Sequence, residues 1–422
     1  MADDEKMSPK IHDHWLKIHT TKSSIIFYAI IFVAMFLLIS GLNTMSNSST
    51  LSFGLTSHQI LNQQETPKAS DINPQLSIQE STEETDAENE DPLIPPAQAS
   101  KEERMTWFRT QLPNLEILKP SNLTPSFHYR VLNFLNQDCS TLFHIIWLSP
   151  AKYFGKREFL TMDTLFKVQP QVCLLIISRS MDSKHGYRIL KPLLDRGFKV
   201  LAITPDLPFL VKNTPAEAWL EKIKSGNKDP GYIPLTQNLS NLIRLAMLYK
   251  YGGVYLDTDL IIMKDFSMFR NTVGAQSADP VTKKWLRLNG AVMIFDINHP
   301  ILWDLLQEFS STFDGNRWGY NGPYLVSRVI ERVGNTPGYN ITILPPKAFY
   351  PVDWIKIGGL FKKPKTNFES MWVENTLVKL LYEGDTYALH LWNKKSRELD
   401  IEEGSVMARL IAVRCIVCNY MY

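Results

Sequence analysis

Net charge and cysteine are both scarce in this sequence. Its 422 residues carry 45 Lys and Arg against 43 Asp and Glu, a net charge of +2, which gives no reason to expect a nucleic-acid partner. Cysteine occurs only at positions 139, 173, 415 and 418. Cys415-x-x-Cys418 has no second Cys-x-x-Cys to pair with, so a zinc site is not indicated. No internal repeat is visible, which argues against a repeat architecture.

One long apolar run stands near the N-terminus. Ser24–Leu42 carries no charge over 19 residues, and at 1.5 Å per residue it spans roughly 28 Å, close to a thin bilayer core. Lys17 and Lys22 precede it, and the next twenty residues contain no Lys or Arg, so the N-terminus is expected in the cytosol. A cleaved signal peptide is the alternative, but the run is long, starts late and has no clear cleavage site. The pattern predicts a single-pass, type II signal anchor in the Golgi membrane.

Composition divides the chain into four predicted parts. They are a cytosolic tail (1–23), the anchor (24–42), a flexible stem (43–105) and a luminal domain (106–422). The stem is poor in aromatics and contains the acidic "STEETDAENEDP", a composition that cannot bury a core.

In a luminal domain, cysteines can form disulfides and sequons can be glycosylated. Some of the four cysteines (Cys139, Cys173, Cys415, Cys418) should pair, with three connectivities open and a short Cys415–Cys418 loop among them. Sequons predict glycosylation at Asn47, Asn122 and Asn340. A further sequon, at Asn238, falls at a predicted helix start and is expected to be inaccessible.

Strand and helix signals alternate from Thr141 onward. "TLFHIIWLS", "QVCLLIIS" and "FKVLAIT" are typical of strands, and "KREFLTMDTLFKVQP" and "GYRILKPLLDRG" of helices. This β-α-β-α-β order predicts a parallel sheet with covering helices, whose ligands bind beyond the carboxyl ends of the strands.

An acidic pair interrupts the apolar stretch "YGGVYLDTDLIIMKDF". We expect a helix over Thr236–Tyr251 and then one strand over Val254–Met263, in which Asp257 and Asp259 share a face and Thr258 points away. Two close carboxylates repel unless a cation lies between them, and Mn²⁺ or Mg²⁺ suits oxygen ligands. The alternatives are a surface Asp pair at a strand end, or the nucleophile strand of a phosphohydrolase.

The C-terminal half adds candidate ligand-binding segments. A Gly-rich loop with Gly315, Gly319 and Gly322 precedes a predicted helix, where free N–H groups can meet an oxygen-rich ligand; Asn321 would cap that helix or line the site. The other predicted elements are a strand (Ala291–Phe295), helices (Pro300–Phe313, Tyr324–Val333) and a late strand (Thr386–Lys395) with His390 and Trp392 on one face.

These segments together resemble a known family. "SNLIRLAMLYKYGGVYLDTD", "LNGAVMIFDINHPILW", "EFSSTFDGNRWGYNGPYLVSRV" and "ALHLWNKKS" are similar to the DXD-containing α-1,4-glycosyltransferases that include lactosylceramide α-1,4-galactosyltransferase, in a plant-type version. The resemblance covers roughly Phe143 to Cys418, with a DXD region at 141–275 and an α-1,4-glycosyltransferase region at 285–418. It implies a GT-A fold, α/β and Rossmann-like, with a mostly parallel central sheet.

The resemblance also implies roles for individual residues. It assigns the metal to Asp257, Asp259 and His390, and no catalytic nucleophile is evident. Relatives commonly have Asp where this chain has Asn241, which lacks the charge. The remaining residues implied are, for the donor, Asn241, Arg244, Tyr255, Asp257 and Asn289, and, for the acceptor or sugar pocket, Trp318, Asn321, Gly322 and Trp392.

The expected activity is metal-dependent transfer of galactose or N-acetylglucosamine from a UDP-sugar to a sugar hydroxyl of a glycan or glycolipid. Retention of configuration and the α-1,4 linkage are implied by the resemblance alone. A GDP-mannose donor is one alternative. An inactive Golgi scaffold is another, which Asn241 favours. A homo-oligomer is compatible with the sequence.

Overall fold

The computed structural model describes residues 95–96, 99–382 and 384–417. The chain divides into two compact units, Met1–Asp71 and Ile72–Tyr422, and every described residue lies in the second. The predicted anchor at 24–42 and almost all of the predicted stem fall outside the described residues. Within the described ranges, no helix has both the length and the apolar content that a bilayer span requires.

The strands form one large sheet and one small ribbon. In the large sheet the order is β3-β2-β1-β4-β7-β6-β8, and the small ribbon pairs β5 with β9. Neighbours from β3 to β4 are parallel, β7 is antiparallel to β4 and β6, and β6 is parallel to β8. The strands are β1 (Leu142–Ile146), β2 (Cys173–Ile177), β3 (Lys199–Ile203), β4 (Gly253–Leu256), β5 (Leu260–Ile262), β6 (Thr272–Ala278), β7 (Trp285–Phe295), β8 (Thr342–Leu344) and β9 (Ala388–His390).

Helices flank this sheet and complete the α/β architecture. In chain order they are α1 (Lys101–Gln111), α2 (Phe127–Leu135), α3 (Lys156–Val168), α4 (Lys184–Leu194), α5 (Leu207–Val211), α6 (Glu217–Lys224), α7 (Leu235–Tyr251), α8 (Pro300–Thr312), α9 (Pro323–Val333), α10 (Asn367–Leu381), α11 (Asn393–Ser396) and α12 (Val406–Arg414). Helix α1 begins at Lys101, five residues before the predicted start of the catalytic domain.

The core explains why the first strands read as continuous apolar runs. All five residues of β1 and of β2 are buried, because one apolar cluster that includes α7, α8 and α9 covers one face of the sheet and a second that includes α3 covers the other. A third cluster joins the small ribbon to α10 and α12. The predicted mostly parallel sheet with flanking helices is confirmed.

Candidate metal and donor site

The strand predicted over Val254–Met263 is two strands, and the acidic pair lies in the break between them. Strand β4 ends at Leu256 in the large sheet, while β5 begins at Leu260 in the small ribbon. The prediction of one strand was therefore wrong, and strand alternation is not what brings the two carboxylates together. Asp257, Thr258 and Asp259 form the bend that passes the chain from one sheet to the other.

Two glycines bring the chain into this bend at the correct position. Gly252 ends α7 with φ of 63°, and Gly253 begins β4 with φ of 93°. A Cβ at Gly253 would lie 2.3 Å from the carbonyl oxygen of Leu142. Only glycine accommodates both the backbone conformation and this approach, so the Gly-Gly pair sets β4 beside β1 and places Asp257 at the carboxyl end of the parallel strands.

Asp257 is balanced by an arginine and a tyrosine. Its Oδ1 accepts a 2.6 Å hydrogen bond from the Tyr255 hydroxyl and lies 3.1 Å from Nη1 of Arg244. Arg244 also donates to the carbonyl of Gly290 at 2.8 Å, and its guanidinium lies 4.4 Å from the centre of the Tyr255 ring. Burial opposes the charge of Arg244, but Asp257 and the neighbouring groups Tyr255, Tyr350 and Asp259 together outweigh it, and the pKa of Arg244 is raised. Burial, reinforced by Asp257, raises the pKa of Tyr255, so the phenol stays protonated and donates.

Asp259 is held by the segment that carries His390. In the small ribbon Leu260 pairs with His390, and the N–H of Leu391 donates to the Asp259 carbonyl at 2.8 Å. The Asp259 carboxylate accepts from the N–H of Asn393 at 2.8 Å and lies 3.4 Å from Nε2 of His390. Both acidic side chains therefore have protein partners, and the pairing of β5 with β9 is what makes His390 their neighbour.

The three predicted metal ligands come together. One ligand atom from each of Asp257, Asp259 and His390 lies within 4.8 Å of the other two. Two carboxylates and an imidazole fit Mn²⁺, while Mg²⁺ prefers oxygen alone. Nδ1 of His390 accepts from the N–H of Trp392 at 3.1 Å, so the neutral ring carries its proton on Nε2. Coordination through Nε2 would require that proton to leave and the Trp392 contact to change.

Comparison with known proteins identifies the family of this chain. The profile described as an α-1,4-glycosyltransferase conserved region matches residues 294–422, and that of the glycosyltransferase sugar-binding region containing the DXD motif matches residues 155–279. The lactosylceramide 4-α-galactosyltransferase of Pongo pygmaeus is 33% identical over 219 residues, which cover 50% of this chain and 91% of that protein. The chain belongs to the DXD-containing α-1,4-glycosyltransferase family.

Other relatives are longer than the aligned part. An uncharacterized protein of Arabidopsis thaliana is 30% identical over 68% of this chain and 43% of its own length. The lactosylceramide 4-α-galactosyltransferase of Mus musculus is 35% identical over 58% of this chain and 66% of its own. The chain thus spans less than two thirds of either relative. Among solved structures, the PaToxG glycosyltransferase matches at 18% identity and a TM-score of 0.34, covering 56% of this chain and 79% of that one, which is too distant to support a conclusion.

The predicted donor residues other than Asp257 and Tyr255 lie on the helix and strand beside the acidic pair. Arg244 reaches Asp257 from α7, as described above. Asn289, on β7, is buried with its side chain bonded to Gln276 at 3.0 Å and to the N–H of Ala291 at 3.0 Å. Asn241 faces Gly322, where an added Cβ would approach its amide to 3.1 Å. Asn241 therefore contacts the loop before α9, and within the described residues no hydrogen bond joins its side chain to the acidic pair.

Asn321 tethers the Gly-rich loop and does not cap α9. The N-cap position is Gly322, which makes no side-chain cap bond. The amide of Asn321 is buried and bonds Oδ1 of Asn238 at 2.9 Å and both backbone groups of Asp314. The loop is also packed more closely than its glycines suggest, since a Cβ at Gly315 would lie 1.9 Å from the carbonyl oxygen of Pro230. The cap prediction was wrong because the amide turns inward to α7.

The two predicted pocket tryptophans both adjoin α11, Trp392 as its N-cap residue and Trp318 through Lys394. Trp318 is 51% exposed, with Nζ of Lys394 3.8 Å from its ring centre. Trp392 was predicted on a strand face with His390, but β9 ends at His390 and Trp392 has φ of 54° and ψ of 59°. Its ring still packs 4.3 Å from the His390 ring, and its Nε1 donates to the carbonyl of Val352.

The remaining sequence candidates lie away from this site. Cys139 and Cys173 form a disulfide with a Cα–Cα distance of 5.3 Å, while Cys418 is outside the described residues, so the short Cys415–Cys418 loop stays a prediction. Asn122 and Asn340 are exposed, Asn238 is buried, and Asn47 is not among the described residues.

Sequence reasoning missed three groups beside the acidic pair. The N–H of Asn393 binds Asp259, and within the described part of the chain the buried Oδ1 of the same residue has no partner. Tyr350 packs 5.6 Å from His390, ring centre to ring centre. Lys394, the residue after Asn393, is an exposed cation that rests on the Trp318 ring. The adjacency of Asn393 and Lys394 to His390 was a usable signal, whereas nothing in the sequence indicated Tyr350.

Proposed function

We propose that this chain is a metal-dependent glycosyltransferase of the GT-A fold that moves a hexose from a UDP-sugar to a sugar hydroxyl. The observation that carries the proposal is the convergence of Asp257, Asp259 and His390 in a member of a DXD-containing family. The proposed donor sugar is galactose or N-acetylglucosamine, the acceptor a glycan or glycolipid, and the product α-1,4-linked with retained configuration.

The proposed metal would be held by those three side chains. When bound, a divalent ion would neutralise the charge that grows on the departing UDP. Arg244 and Tyr255 hold Asp257 in place from α7 and β4, and the N–H of Asn393 does the same for Asp259. These contacts fix both carboxylates before any ligand arrives, so little reorganisation is needed on binding, while the positive charge of Arg244 opposes that of the metal.

The chain's own residues also suggest how the sugars are oriented. Trp318 is half exposed and offers a flat face to an acceptor ring. Lys394, which rests on Trp318, can reach toward an anionic diphosphate, and the free Oδ1 of Asn393 can accept from a sugar or ribose hydroxyl. Among the residues that the structure describes, no side chain presents itself as a nucleophile, which is compatible with attack by the acceptor hydroxyl on the same face as the leaving group.

We further propose a Golgi location with a single-pass type II anchor at 24–42, a stem at 43–105 and a luminal catalytic domain at 106–422. The Cys139–Cys173 disulfide supports an oxidising compartment.

Hydrolysis of nucleotide sugars by the purified chain tests the activity. UDP-galactose, UDP-N-acetylglucosamine, UDP-glucose and GDP-mannose would each be supplied with and without Mn²⁺. Hydrolysis of one UDP-sugar that requires Mn²⁺ is the expected result. Hydrolysis of GDP-mannose alone, or of every donor without metal, would contradict the proposal.

A further inference from the structure

Helix α10 buries one apolar face, and on the opposite, exposed side large apolar side chains are interspersed with Asn375 and Lys379. Val373, Leu377 and Leu380 are buried in the third core cluster. At about 100° per residue, a second set of side chains projects from the opposite side. This set, called here the α10 stripe, comprises Phe368, Met371, Trp372, Val378 and Tyr382.

The α10 stripe is unusually open to solvent. Phe368 is 80% exposed, Tyr382 76% and Met371 63%. A globular protein scatters single apolar residues over its surface, whereas several large ones on one side of a helix indicate a binding surface. The helix is about 22 Å long, so the stripe is long and narrow.

The stripe continues toward the acidic pair. A Cβ at Gly359 would lie 3.9 Å from Cη2 of Trp372, so the stripe borders the turn that follows Trp354 and Ile355, which are 46% and 74% exposed. Nζ of Lys395, on α11, lies 5.2 Å from the Trp354 ring centre. Since α11 also supplies the N–H that binds Asp259, the exposed apolar surface reaches the rim of the site.

Among the described residues, three lysines without a salt bridge flank the stripe, whereas the acids near it have partners. Lys363 and Lys365 precede α10 and Lys379 lies along it, and within the described part of the chain none of the three forms a salt bridge. The nearby acids are engaged: Glu374 pairs with Arg409, and Glu369 caps the helix. Exposed Phe, Trp and Tyr side chains flanked by lysines match the headgroup region of a bilayer, where aromatic rings bury and lysines meet phosphate.

We propose that the α10 stripe docks on the surface of a lipid bilayer, which would hold the rim of the site next to lipid headgroups. A second copy of the chain is the competing occupant. A two-fold interface would face the stripe with itself and bring the same lysines together, which favours the bilayer. The inference does not depend on the identity of the donor sugar, because docking is measured without turnover.

The test places an environment-sensitive NBD probe on the full-length chain in nanodiscs of phosphatidylcholine with some phosphatidylserine. One variant carries the probe at Phe368→Cys and the control at Val281→Cys, an 84% exposed residue in the β6–β7 turn. We expect the probe at position 368 to shift to the blue and to be quenched by doxyl-labelled lipid, and the probe at 281 to stay in water. Met371→Ser with Tyr382→Ser should at least halve the quenching at 368 without changing the melting temperature.

Two results would overturn the proposal. A probe at 368 that stays in water, without lipid quenching, would show that the stripe does not dock. A probe that is protected without doxyl quenching, and that self-quenches as the protein-to-disc ratio rises, would assign the stripe to a second copy. Loss of donor hydrolysis with lipid quenching intact would refute the proposed activity and leave the docking proposal standing.

Discussion

Replacing Arg244 by Met should make the protein less stable and more responsive to metal. The side chain is 13% exposed, lies 3.1 Å from Asp257 and donates to the Gly290 carbonyl at 2.8 Å. Each buried polar group left without a partner costs about 1–3 kcal/mol. Asp257 is 28% exposed, so water compensates it in part, and we take about 2 kcal/mol for the whole change. In a domain of this size that corresponds to roughly 4 °C in melting temperature.

Metal should reverse much of this loss. Arg244 and a divalent ion both balance the charge of Asp257, and removing the arginine also removes cation–cation repulsion. The Mn²⁺-induced rise in melting temperature should therefore be larger in Arg244→Met than in the unaltered protein, by roughly 2 °C if binding tightens by about 1 kcal/mol. Scanning calorimetry or thermal-shift fluorimetry with Mn²⁺ or EDTA measures both quantities.

Arg130→Met is the matched control. Arg130 is buried to a similar degree and makes a bidentate pair with Asp182, at 2.7 and 2.8 Å, but contacts none of the acidic site. Its replacement should cost similar stability and leave the Mn²⁺ effect unchanged. If Arg244→Met responded to Mn²⁺ no more than Arg130→Met does, the proposed coupling between Arg244 and the metal would be refuted.

Three further predictions test other parts of the account. Burial lowers the pKa of His144 to about 4, so between that pH and about 6.5 the unfolded chain binds more protons than the native one, and the free energy of unfolding should fall as the pH falls through this range. Urea titrations should show a less steep fall in His144→Gln, whose amide can still donate to the Gly252 carbonyl. Gly315→Ala should lower the melting temperature by several degrees, because its Cβ would collide with neighbouring backbone. If the Lys394 ammonium contacts the diphosphate, Lys394→Met should raise the KM for the UDP-sugar about tenfold, while Lys395→Met should change it far less. Equal KM values for the two variants would contradict this role.

Much of the fold could be read from the sequence because its signals are local. Runs such as "LFHII" and "CLLII" are apolar throughout since both faces of the sheet are covered. The end of the helix at Gly252 could also be predicted, because a glycine commonly follows the last residue of a helix.

The site could be predicted from the sequence only in part, because its geometry depends on segments that are distant along the chain. The run from Val254 to Met263 is apolar on both sides of Asp257, so nothing local reveals that the chain changes sheets there. That change is fixed by the pairing of Leu260 with His390, 130 positions later. The left-handed backbone of Trp392 is equally hidden, since a bulky residue rarely adopts it. Asp257 and Asp259 were predicted as metal ligands from the acidic pair and His390 from the family resemblance, and that the three lie close together could be seen only in the tertiary fold.

The central claim is that Asp257, Asp259 and His390 hold a divalent metal that nucleotide-sugar cleavage requires. The most direct measurement is Mn²⁺-dependent UDP-sugar hydrolysis by the purified protein beside Asp259→Ala, with Asp296→Ala as the control, since Asp296 pairs with Arg270 away from the three ligands. We predict hydrolysis of one UDP-sugar that vanishes with EDTA and in Asp259→Ala, and persists in Asp296→Ala. Hydrolysis that survives in Asp259→Ala at the same Mn²⁺ dependence would contradict the account.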